Sequence, residues 1–250
     1  MNASPKPGKL IAIASGKGGV GKTWFAITLA DALARLGRKL LLFDADLGLA
    51  NIDIQLGLTP EHDISSLLAG RASLGETLLR YAPGGFDILP GRSGSGSLAS
   101  LEDSHLERLM SVLQSCGSPY DHVLLDLGAG LDRAQRRLAA AADTLLVMVT
   151  DEPTSLTDAY AVIKLHQQDA GKPDVRVVVN QARCAAAGER TYGTLARACA
   201  HFLKQAPKLA GVIRRDDKVR DAIRRQSLLL SRHPSCPASL DVEALARGLC

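Results

Sequence analysis

Residues 15–23 read Ser15-Gly16-Lys17-Gly18-Gly19-Val20-Gly21-Lys22-Thr23. They fit the pattern G-x-x-x-x-G-K-[ST], with Gly16, Gly21, Lys22 and Thr23 in its fixed places. An apolar run precedes the stretch and a helical pattern follows it. Glycines let successive backbone N–H groups converge on phosphate oxygens, and the start of a helix adds partial positive charge there. Gly16, Gly18, Gly19, Val20 and Gly21 are therefore expected to cradle phosphate with backbone. Lys22 is expected to bridge the β- and γ-phosphates of a nucleotide, and the Thr23 hydroxyl to ligate Mg²⁺. Lys17 is a second lysine inside the loop. Two readings of it stand: an exposed solubilising charge, or a charge that reaches a nucleotide across a subunit interface.

Outward from the loop, short apolar runs alternate with longer helical patterns. Strands are expected at Lys9–Ser15, 39–44, Phe86–Leu89, 122–126, 144–150, 175–180 and 209–213. Several are apolar at successive positions, as in Leu145-Leu146-Val147-Met148-Val149, which marks a strand buried on both faces. Helices are expected at 22–36, 101–115, 134–142, 155–168 and 189–205. Strand–helix alternation implies an α/β fold with a mostly parallel sheet, helices on both faces and right-handed crossovers. Residues 1–8 read as a short tail and 9–250 as one domain. The stretch at 91–97, Gly-Arg-Ser-Gly-Ser-Gly-Ser, reads as a surface loop.

Two strand ends carry carboxylates. Leu40-Leu41-Leu42-Phe43-Asp44-Ala45-Asp46 ends in a pair, and Val123-Leu124-Leu125-Asp126 in one. Open α/β sheets bind ligands at the C-terminal ends of their strands. Asp126 alone is a weak signal; beside a phosphate loop it becomes a metal-site candidate, reaching Mg²⁺ through water. Gly128 or Gly130, just after it, gives the following segment backbone freedom. A third strand ends in Asn180, whose amide can donate and accept at a base edge, the alternative being a turn-forming Asn. Ser155 with Asp158 three residues later reads as a capping-box-like helix start.

Lys17-Gly18-Gly19-Val20-Gly21-Lys22-Thr23 resembles the deviant Walker A motif of the MinD/ParA ATPase family. That resemblance implies a P-loop NTPase fold, ATP and Mg²⁺ as ligands, and slow ATP hydrolysis coupled to a nucleotide-sandwich homodimer. It implies that Lys17 contacts the partner subunit's nucleotide, and that Asp46 orients the attacking water while Asp44 and Asp126 serve the Mg²⁺ shell. It also implies that Asn180 bonds adenine. Where this chain has Leu127 the family carries Thr or Ser, and where it has Arg214 the family carries Pro. The segments 44–53 and 152–160 resemble the flagellar-number regulator branch, FlhG or FleN, in which Glu152 would lie near the dimer edge. The function implied is an ATP-driven switch regulating flagellar number or placement, through a regulatory protein partner. ParA-like partitioning on DNA or cargo is the alternative, and a catalytically inert nucleotide-binding scaffold is an alternative of another class.

Composition agrees with this frame. The chain has 250 residues, of which 46% are hydrophobic and 4% aromatic, so the core is expected to be Leu, Ile, Val and Ala. Its formal net charge of +4 does not by itself indicate nucleic acid. The five cysteines are scattered, without a C-x-x-C pair, and read as reduced thiols in a cytoplasmic setting. Residues 1–8 lack the apolar run of a signal peptide. Residues 214–225 hold six basic and three acidic side chains, with Val219, Ala222 and Ile223 marking a packed helical face. An ordinary solvated helix is the favoured reading there, and nonspecific DNA binding the other. Leu240, Leu245 and Leu249 read as a short C-terminal helix on the core, with no amphipathic membrane anchor, although Leu228-Leu229-Leu230 could form a small apolar patch.

Overall fold

The computed structural model of the chain describes residues 8–46, 48–91, 103–116, 119–130, 132–170 and 174–250. In chain order the elements are β1 (Lys9–Ser15), α1 (Lys22–Arg35), β2 (Leu40–Ala45), α2 (Ile52–Leu56), α3 (Ile64–Leu68), α4 (Leu74–Thr77), β3 (Leu79–Tyr81) and β4 (Phe86–Leu89). There follow α5 (Asp103–Cys116), β5 (His122–Ala129), α6 (Arg133–Ala140), β6 (Thr144–Val149), α7 (Pro153–Asp169), β7 (Asp174–Ala182), α8 (Ala185–Leu203), β8 (Lys208–Arg214), α9 (Asp217–Arg224), α10 (Leu229–Arg232) and α11 (Pro237–Arg247).

The strands form one eight-stranded sheet in the order β3-β4-β2-β5-β1-β6-β7-β8. All neighbours are parallel except the β3–β4 pair at one edge. The apolar runs explain the layering. In β1, Ile11 and Ile13 pack into one core while Ala12 and Ala14 pack into the other. In β2, Leu40 and Leu42 face the first, and Leu41, Phe43 and Ala45 the second. Alternate side chains leave opposite faces of a strand, so a run apolar at every position needs cover on both sides. On one face, α1 packs between the sheet and α11. On the other lie α5, α6, α7 and α8. The single α/β domain with helices on both faces is as the sequence implies.

Several details differ from the sequence reading. Helix α7 begins at Pro153, whose missing N–H costs nothing in a first turn, and not at Ser155. Ser155 is buried, and its Oγ accepts the Thr150 N–H at 3.0 Å, so it closes the turn out of β6 and caps no helix. Helix α8 starts four residues before position 189, because Ala185-Ala186-Ala187 favours helix and Gly188 is held inside it by packing. The triplet Leu228-Leu229-Leu230 forms no surface patch; all three side chains are buried in the core that holds α1. At the C-terminus Leu245 and Leu249 are buried, whereas Leu240 is 48% exposed. Residues 92–97 of the glycine–serine stretch, and the first two residues of the helix expected at 101–115, lie outside the described residues.

Gly188 gives a prediction about the fold. A Cβ there would sit 2.2 Å from Val212 Cγ1 on β8, closer than real contacts allow. Val212 is β-branched and cannot swing away freely. Gly188→Ala is expected to destabilise the protein by about 1–3 kcal/mol, a fall in Tm of roughly 2–10 °C. A melting curve superimposed on the parent's would show that α8 and β8 can part without cost.

Candidate functional site: the phosphate loop and its strand-end carboxylates

The loop between β1 and α1 lies at the C-terminal ends of the parallel strands. Gly21 stands at the N-cap of α1 with φ 94°, and no side chain caps that helix. Its first N–H groups are thus left for a ligand. Gly19 also has positive φ, 81°. Close packing explains two more fixed glycines. A Cβ at Gly16 would lie 2.4 Å from Asp158 Cβ on α7, and one at Gly21 would lie 2.6 Å from Asn180 Nδ2.

Lys22 is buried at 8% exposure, and its Nζ donates to Ser15 Oγ at 2.8 Å. Ser15 in turn donates to the Lys17 carbonyl at 2.7 Å, which shapes the loop. Burial pulls the Lys22 pKa down, and the charges of Asp126 and Asp46 work against that. Sequence reasoning quoted Ser15 without giving it a role; its place at the end of β1, seven residues before Lys22, was the available signal.

Asp126 is 1% exposed, and the neighbouring Thr23 hydroxyl favours its charged form. Among the described residues its buried Oδ1 has no hydrogen-bond partner. Asp44 is also 1% exposed and lies directly across the β2–β5 ladder from Asp126. Asp44 Oδ2 accepts the N–H groups of Asn51 and Ile52, both at 2.9 Å, which holds the start of α2. Burial pushes both carboxyls above the usual carboxylate range, and the neighbouring carboxylates push further. A hydroxyl, buried carboxylates and an unpartnered oxygen beside a phosphate cradle match Mg²⁺, which takes few protein oxygens and keeps waters and phosphates. Among the described residues no cluster of three or more His, Cys, Asp or Glu could hold a metal on protein ligands alone. The residues present therefore fit Mg²⁺ shared with a bound nucleotide.

Asp46 follows β2 and is half-buried. Its Oδ1 accepts the N–H groups of Gly48 at 3.3 Å and Leu49 at 3.0 Å, a local turn that fixes the carboxylate. A Cβ at Gly128 would lie 3.1 Å from that oxygen, so Asp46 rests against the backbone that follows Asp126. Gly130, with φ 111°, supplies the freedom expected of that segment.

Lys17 reaches across to the start of α7. Its Nζ pairs with Glu152, and Thr154 Oγ1 accepts from it at 3.4 Å. The lysine side chain is 33% exposed and the glutamate 58%. Lys17 is therefore not a free surface charge: the two residues read separately from the sequence meet here.

Asn180 is 4% exposed. Its Nδ2 donates to the Val20 carbonyl at 2.7 Å, and its Oδ1 accepts the Gln181 N–H at 2.9 Å. It ties β7 to the phosphate loop with one amide hydrogen and one lone pair not used in these two bonds. Beside it a cleft of about 280 Å³ is lined by Gly21, Trp24, Asn180, Asp216, Val219 and Ile223. Arg214, which stands where the resemblance expects Pro, bonds Asp241 on α11 through its Nη2 at 2.8 Å and Nε at 2.9 Å. It thus fastens α11 to the end of β8.

Comparisons with known proteins match the chain and its fold. The family model for the CobQ/CobB/MinD/ParA nucleotide binding domain matches residues 11–229. The antiactivator FleN of Pseudomonas aeruginosa is 39% identical over 98% of this chain and 87% of its own. The flagellum site-determining protein YlxH of Helicobacter pylori is 31% identical over 95% of this chain and 80% of its own. Among solved structures, the MinD cell division protein of Aquifex aeolicus superposes with a TM-score of 0.77 at 29% identity, covering 96% of each chain. A glycine loop, a buried lysine and strand-end carboxylates in this order, together with that coverage, place the chain in the MinD/ParA family of P-loop nucleotide-binding proteins, with a resemblance to its flagellar-regulator branch.

Proposed function

We propose that the protein is an ATP-dependent dimerisation switch with slow ATP hydrolysis that regulates flagellar number or placement. The observation that carries the enzymatic part is the buried pair of Lys22 and Asp126 behind the glycine loop, with half-buried Thr23 beside them and Asp126 Oδ1 without a hydrogen-bond partner among the described residues. The two flagellar relatives supply the biological setting.

The N–H groups of residues 16–23 and the Lys22 ammonium gather the triphosphate. Thr23 and Asp126 would hold the metal, Asp126 through water, and Asp44, which fixes the start of α2, would brace its shell. Mg²⁺ bound there would neutralise charge on the β- and γ-phosphates. Asp46 orients a water in line with the γ-phosphate, and positioning plus electrostatics supply most of the rate in such transfers. Asn180 reads the base from the cleft beside Gly21.

Lys17 leaves Glu152 to meet the nucleotide of a second copy, with Glu152 at the edge of that interface. Exposed ion pairs are typically worth about 0–1 kcal/mol, so a triphosphate competes easily for the ammonium. Breaking the pair on dimerisation is thus a small cost against a multiply charged partner.

In cells, removing the gene or supplying Asp46→Ala alone is expected to change the number or position of flagella, counted by electron microscopy. Unchanged flagella in both strains, with normal expression, would contradict the flagellar assignment. The exposed side chains of Lys218, Arg220 and Arg224 on α9, with Arg215 and Arg225 flanking it, favour one second reading, partitioning on DNA. ATP-dependent, salt-sensitive DNA binding would support that reading instead.

A further inference from the structure

Gln135 lies on α6 and is 6% exposed. Its Oε1 accepts the Gly128 N–H at 3.0 Å, and its Nε2 donates to the Ala45 carbonyl at 3.2 Å. Ala45 is the last residue of β2 and precedes Asp46; Gly128 stands two residues after Asp126. One amide therefore joins the backbone beside the water-orienting carboxylate to the backbone beside the metal-site carboxylate.

The fit is close. A Cβ at Gly128 would lie 3.0 Å from Gln135 Nε2 and 3.1 Å from Asp46 Oδ1, so glycine leaves room for both. Leu127, between Asp126 and Gly128, turns its side chain into the core and offers no hydrogen-bonding group. The amide is itself held in place. Asp132 Oδ1 accepts the Gln135 N–H at 2.9 Å at the start of α6. The next residue, Arg136, grips Asp169 at the end of α7 through two bonds of 2.8 and 2.7 Å. Both polar ends of a buried side chain are thus spent on two strand ends.

We infer that Gln135 is a positioning residue for ATP hydrolysis: it sets the spacing of the β2 and β5 ends, and through it the alignment of Asp46 with the γ-phosphate. This rests on the hydrolysis reading above. Displacing a catalytic carboxylate by about 1 Å can cost on the order of a hundredfold in rate, while a phosphate held mainly by loop N–H groups and Lys22 is indifferent to it.

The test is Gln135→Met, which keeps the volume and drops both bonds. Turnover with ATP and Mg²⁺ is expected to fall on the order of tenfold or more, with ATP affinity unchanged and the Gly128 amide exchanging hydrogen faster. Unchanged turnover in Q135M beside an active parent overturns the inference and leaves the hydrolysis reading standing. A parallel loss of affinity, turnover and Tm also overturns it, because Gln135 would then be only part of the scaffold. A parent that binds ATP but never turns it over, with any activator, removes the hydrolysis reading and this inference together. Should Q135M not fold, Gln135→Glu retains an oxygen for Gly128 and loses the donor to Ala45, and the same split between turnover and affinity decides.

Discussion

Asp46→Ala is expected to lower steady-state ATP turnover on the order of a hundredfold while changing ATP affinity by only a few-fold. The carboxylate touches no residue of the phosphate cradle by hydrogen bond; its Oδ1 is engaged by the N–H groups of Gly48 and Leu49. Removing it leaves Lys22 on Ser15 and Thr23 beside Asp126. Nucleotide binding should therefore persist. What is lost is the group proposed to point a water at the γ-phosphate, a role that matters only in the transition state. Phosphate release and a fluorescent-nucleotide titration measure the two quantities separately. Full turnover in the variant would assign the water to another residue, and loss of binding would make Asp46 part of the cradle.

Lys17→Ala is expected to bind ATP nearly as well as the parent and to weaken the ATP-dependent dimer by roughly three orders of magnitude or more. Truncating one member of a buried, hydrogen-bonded charge pair at an interface costs about 2–5 kcal/mol. A two-fold symmetric interface contains that contact twice. Inside one subunit the change removes only the exposed pair with Glu152 and the weaker contact to Thr154, so folding and the Lys22 site should be intact. Dimer dissociation constants measured in ATP and Mg²⁺ for both proteins check this. Equal constants would return Lys17 to the role of a solubilising charge.

The fold was largely legible because buried parallel strands are apolar without interruption, as Leu145 to Val149 shows. The loop at 16–23 was legible because strand, glycines, lysine and helix come in an order that serves phosphate. What escaped was set by packing between segments distant in sequence. Gln135 looks like any polar residue on a helix; only the fold brings it 90 positions back to Ala45. Gly188 reads as a helix breaker until Val212 is placed against it. The stretch from 57 to 85 holds short helices and a three-residue edge strand too brief to show a period. One signal there was readable: Ser73 and Glu76 form a capping box, with Ser73 N–H donating to Glu76 at 2.8 Å. Asp63, whose carboxylate accepts the Ser66 N–H, caps α3 in a simpler way, without the reciprocal bond. At position 155 a sequence cap signal misled, because Pro153 starts the helix and the serine hydroxyl is already used by Thr150.

The account stands on nucleotide joining two copies of this chain through Lys17. Sedimentation equilibrium of Asp46→Ala, with slow turnover keeping ATP intact, tests it most directly. The expected result is twice the monomer mass in ATP and Mg²⁺, and the monomer mass in ADP or after Lys17→Ala is added. A monomer in ATP at every concentration, with the nucleotide shown to be bound, would contradict it.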